Sequence, residues 1–134
     1  MSFVRSCLDV ENWLSEASAH WQIISDREYR ELISNWKKSF WQCIETKQQH
    51  QHGLKAQTKL KSILPVNAYI FSGLKVEAAA NMGGNYPSGY LVQGLSSIDW
   101  SLCKLHELIV TDVEFGHTLI CSHEDGYEQF YEIV

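Results

Sequence analysis

At Pro65 the spacing of apolar residues changes from that of helices to that of strands, and this change admits few folds. Before it, Val10, Trp13, Leu14, Ala17 and Trp21 recur at helical intervals and make one stripe, with Asp9 placed as an N-cap. Trp21 to Ile24 reads as a short connection. Ser25 and Glu28 then form a capping box, flanked by Ile24 and Tyr29 as a hydrophobic staple. The second stripe runs through Leu32, Ile33, Trp36, Phe40, Cys43 and Ile44. The polar run from Lys47 to His52 reads as solvated last turns, stopped by Gly53. A third helix is expected from Leu54 to Leu64, ended by Pro65.

After Pro65, Val66 to Ser72 and Tyr90 to Leu95 carry strand-forming residues. Glu77 to Met82 suits one or two helical turns, 83–89 a loop, and Ile98 to Leu105 a short helix. Leu108 to Val113 is apolar on both faces, as a central strand should be. Thr118 to His123 and Gln129 to Val134 complete a meander, with turns at Gly116 and at Glu124-Asp125-Gly126. Helices first and strands later specify an α+β fold. The N-terminal helices are expected on one face of a mainly antiparallel sheet that ends in a C-terminal β-meander. One domain spans residues 1–134, helical over about 9–64 and sheet over about 66–134.

Apolar and charged contents of 45% and 20% are those of a chain that folds, not of a disordered one. No apolar run approaches the roughly 20 residues of a membrane helix. Asp9 and Glu11 occupy the place of a signal-peptide core. Cys7, Cys43, Cys103 and Cys121 are far apart among apolar neighbours, which suits reduced, buried thiols in the cytoplasm.

Charge divides along the chain. From Asp99 onward there are eight acidic residues and one basic residue, a local balance of −7 against −5 for the whole chain. Residues 25–64 hold eight basic and four acidic groups. Like charge on one sheet is self-repelling, and a cationic partner relieves it. The alternative is ordinary solvated charge.

The residues that carry chemistry form no catalytic signature. His106, His117 and His123 fall on or beside neighbouring strands, and with Glu107 or Glu124 they would make a zinc- or iron-like set. No HExxH or CxxC spacing supports it. His50 and His52 lack a third ligand. Cys121 and His123 share a strand face, but the apolar TLICS context points to a buried, inert thiol. Asp112 with Glu114, and Glu124 with Asp125, offer acid–base pairs, although carboxylates beside turns are usually just solvated. The loop GGNYPSG lacks the Gly-Lys-Ser/Thr ending of a phosphate cradle and reads as a mobile surface loop, the alternative being a partner-contact loop that presents Tyr86 and Tyr90. The lysines of the third helix are too diluted by the acidic balance to grip nucleic acid. Trp41 lies about 100° off the core stripe of its helix. Trp100 and Tyr127 sit beside carboxylates, an arrangement common in binding hot spots.

Two patterns carry a family resemblance. One is a strand ending in Asp112, then Phe115, Thr118, Ser122-His123-Glu124-Asp125-Gly126 and a closing Phe130-Tyr131. The other is Asp26-Arg27-Glu28-Tyr29 followed by Trp36. Together they resemble small bacterial immunity proteins of toxin–immunity systems, including contact-dependent growth inhibition. His117 stands where an aromatic residue usually precedes the Thr. The resemblance implies a cytoplasmic antitoxin that binds one toxin domain.

The expectation is therefore a binding protein without cofactor, metal or catalytic residues. Its partner is a basic nuclease toxin, with no nucleic acid or membrane bound directly. Asp112, Glu114, Glu124, Asp125 and Glu128 would meet the toxin's cations, with Tyr127, Trp100 and Trp41 as aromatic anchors. The alternative is a small metal- or histidine-dependent enzyme built on His106, His117 and His123.

Overall fold

The computed structural model describes residues 3–46, 50–72, 89–121 and 129–132. Four helices are described: α1 (Phe3–Ala17), α2 (Asp26–Thr46), α3 (Gly53–Ile63) and α4 (Trp100–Leu105). Seven strands accompany them: β1 (His20–Ile23), β2 (His50–His52), β3 (Val66–Ser72), β4 (Tyr90–Leu95), β5 (Leu108–Asp112), β6 (His117–Ile120) and β7 (Gln129–Glu132). They form one sheet in the order β1-β4-β3-β5-β6-β7-β2, and every pairing is antiparallel. The class is α+β, as expected. The apolar β5 occupies the centre of the sheet, and β5, β6 and β7 are the expected meander.

The helices divide between the two faces of the sheet, where a single covered face was expected. Strand side chains alternate, so Ala68, Ile70, Val92, Leu108, Val110 and Leu119 face one way. They pack with Val10, Trp13, Leu14 and Ala17 of α1, Ala56 and Leu60 of α3, and Cys103 of α4. Phe71 and Ile109 face the other way and pack with Leu32 and Trp36 of α2 and with Ile24. The second layer has a sequence cause. A central strand apolar on both faces must be covered twice, and α2 carries the apolar stripe that does so.

The capping box forms. Glu28 N donates to Ser25 Oγ at 3.1 Å, and Ser25 N donates to Glu28 Oε1 at 3.3 Å. Asp9 caps nothing, because α1 starts six residues earlier. The connection after α1 is the edge strand β1, paired with β4 from His20↔Gln93 to Ile23↔Tyr90. Trp21 joins the α1 core from that strand rather than from a helix, and its Nε1 donates to Ser15 Oγ at 2.9 Å. The polar run before Gly53 supplies the opposite edge, β2, paired with β7 through His50↔Tyr131 and His52↔Gln129. Gly53 starts α3 with φ at 56°, a left-handed turn that glycine adopts without strain. The helical turns expected over 77–82 and the loop at 83–88 lie outside the described residues. Among the described residues, no helix is long and apolar enough to cross a membrane.

Candidate functional site

The β5–β6 turn organises itself around Asp112. Its Oδ1 accepts from His117 N at 2.6 Å, and its Oδ2 accepts from Glu114 N at 3.1 Å. The Asp112 carbonyl accepts from Phe115 N at 2.9 Å. Phe115 has φ at 60° and stacks on Tyr69, with ring centroids 6.1 Å apart. Val113 N donates to Asn67 O at 3.1 Å and docks the turn on β3. The Asp112 side chain is only 13% exposed, with His117 Nδ1 3.6 Å from Oδ1. Its chemistry is thus spent on closing the turn. Glu114, by contrast, is exposed at the tip.

Glu124, Asp125, Tyr127 and Glu128 lie outside the described residues. Trp41 is on α2, and its side chain lies outside the described set. Trp100 opens α4, is half-buried against the α1 core and walls a cleft of about 490 Å³ beside Lys61, Pro65 and Ile98.

A different acidic surface is assembled between α1 and α4. Asp9, Asn12 and Glu16 recur at intervals of three and four residues, so they share one helix face. Asp99 faces them across a cleft of about 410 Å³, with Trp13 and Leu102 in its lining. Asp99 Oδ1 accepts from Leu102 N at 3.1 Å and so caps α4. Trp13 Nε1 donates to Ser97 O at 3.3 Å, which fixes the indole in the wall. The described lining has three carboxylates and no cation. Glu11 turns elsewhere and accepts from Tyr90 Oη at 3.0 Å. The spacing of Asp9, Asn12 and Glu16 was the available sequence signal. Their pairing with Asp99 was not readable, because it depends on where α4 lands.

The histidine set does not converge among the described residues. His106 ends α4 just before β5, whereas His117 sits beyond the far end of β5. His123 lies outside the described residues. Burial lowers the His106 pKa, opposed by the attraction of the Asp9 carboxylate. No three metal-ligating side chains meet among the described residues. Cys103 and Cys121 are buried thiols. The hydrogen bond of the Cys103 thiol to Cys121, then burial, push Cys103 well above the ordinary thiol range. A thiol held protonated is a poor nucleophile and a poor metal ligand.

A buried polar chain ties α2 to the sheet. Trp36 Nε1 donates to Thr118 Oγ1 at 3.1 Å. Thr118 Oγ1 donates to Thr111 Oγ1 at 3.2 Å, and Thr111 Oγ1 donates to His117 O at 2.9 Å. In the sequence Thr118 stands out only within the family resemblance and Thr111 not at all, since β-branched residues are ordinary in strands.

No family model, curated protein or solved structure matches the chain.

Proposed function

We propose that this protein is a binding module of the immunity type: a cytoplasmic antitoxin that occludes a basic toxin domain, a nuclease by the chemistry of its expected surface. The observation that carries the reading is the cleft of Asp9, Glu16 and Asp99, which holds carboxylates on a rigid helical frame without a cation in its described lining. Such a cleft attracts Lys and Arg side chains over distance and orients them on arrival. Glu114, exposed on the hairpin tip, adds to the same sign of charge. Asp112 serves the reading indirectly, by holding that tip in shape. The family resemblance supplies the toxin; the surface supplies only the charge of the partner.

The test is co-expression with the product of the gene immediately upstream. Restored growth and a 1:1 complex are the expected results. Charge reversal by Asp9→Lys with Glu16→Lys should slow association about tenfold or more at low salt and leave the circular dichroism spectrum unchanged. Absence of protection, or unchanged association for the reversed variant, refutes the reading.

A further inference from the structure

A second cleft has the opposite chemistry, and it does not depend on the immunity reading. It lies where the end of α3, the Leu64-Pro65 link and the segment between β4 and α4 meet. Its volume of about 490 Å³ falls within the range of small-molecule sites, roughly 300–1,000 Å³. Leu64, Pro65, Ile98 and the Trp100 ring supply apolar walls. Lys61 and Ser97 add an ammonium and a hydroxyl, and the Trp100 indole adds an N–H. None of these three donors has a hydrogen-bond or ion-pair partner among the described residues. The Ser96 hydroxyl is already engaged, donating to Ala17 O at 3.0 Å. No carboxylate appears in the described lining. Asp99 belongs to the neighbouring acidic cleft, and its Oδ1 is taken up in capping α4.

Surplus donors, one positive charge and apolar walls suit a ligand with one negative charge and a hydrocarbon body. We propose that this cleft binds a small apolar carboxylic acid, its carboxylate met by Lys61, Ser97 and the Trp100 indole N–H and its chain or ring laid on Leu64, Pro65 and Ile98. A single ammonium balances a monoanion and leaves a phosphate dianion under-compensated. Trp100, placed in the sequence as a protein-docking anchor, takes the role of a ligand wall here.

The probe is 4-phenylbutyrate, titrated into the full chain while the indole N–H resonances are followed by NMR. Trp100→Phe identifies the Trp100 signal. Saturable movement of that signal is expected below about 1 mM, with 4-phenylbutan-1-ol about tenfold weaker and 4-phenylbutylamine weaker still. Lys61→Gln should weaken the acid about tenfold and leave the alcohol unchanged, and Lys61→Arg should restore most of the loss. Lys55→Gln, on the same helix but outside this cleft, should have no effect. Failure to saturate by about 10 mM, equal binding of acid, alcohol and amine, or an acid affinity indifferent to Lys61→Gln overturns the proposal.

Discussion

Thr118→Val tests whether the buried polar chain secures α2 to the sheet. Valine keeps the shape of threonine and puts a methyl where the hydroxyl was. Trp36 is 8% exposed, and valine cannot accept the hydrogen bond that its Nε1–H gives to Thr118 Oγ1. Leaving a buried donor unsatisfied costs about 1–3 kcal/mol. The added methyl returns up to about 0.8 kcal/mol. Thr111 keeps its own bond to His117 O but loses the one it accepts from Thr118 Oγ1, so two links of the chain are removed. The net expectation is a loss of about 1–2 kcal/mol. At this chain length that is a fall in melting temperature of about 3–8 °C. Urea unfolding followed by circular dichroism measures it, and a cycle with Trp36→Phe isolates the pair. Phenylalanine has no donor to strand, so the double variant should lose at least about 1 kcal/mol less than the sum of the single losses. A Thr118→Val protein within about 0.3 kcal/mol of the parent, or an additive cycle, refutes the reasoning.

Other expectations are briefer. Asp112→Ala frees the backbone N–H groups of Glu114 and His117 and should cost about 1–2 kcal/mol, whereas Glu114→Ala should change stability by less than about 0.5 kcal/mol; thermal melts of the two variants separate the structural carboxylate from the exposed one. For His106 the folded pKa is lowered, so the unfolded chain binds the extra proton first. Stability is then undiminished above the ordinary histidine pKa of about 6.5 and falls as pH drops through the lower folded value. His106→Gln should flatten that part of the stability–pH curve, and an identical slope in both proteins would count against it. Cys103 and Cys121 should alkylate at least about tenfold more slowly in the native protein than after denaturation, read by mass spectrometry of their peptides.

What could be read in advance was whatever short-range physics decides. The capping box at Ser25 and Glu28 and the two-faced β5 depend on neighbours a few residues away, and both stand in the fold. The two edge strands depend on distant partners. Trp21 to Ile24 reads as a linker because β4, the partner of His20–Ile23, lies some seventy residues on. His50 to His52 looked like a helix end because its polarity says nothing of β7. Side-chain alternation showed that β5 is covered on both faces, and the missing step was to assign α2 to the second face. Counting charges along the sequence favours the C-terminal meander, where Asp112 is consumed by its own turn and Glu124, Asp125 and Glu128 lie outside the described residues. The described cleft draws instead on Asp9 and Glu16 from the first helix.

The edge strands also bear on how the molecule is made. β1 and β2 arise between the helices, yet their hydrogen-bonding partners are β4 and β7. The sheet therefore stays open on one side until β7 has been synthesised. Neither a fragment ending at Leu64 nor one starting at Pro65 holds a finished sheet. Pairings over such sequence distances close slowly, and until they close the bare rims of β4 and β7 are what a nascent chain must keep from its neighbours.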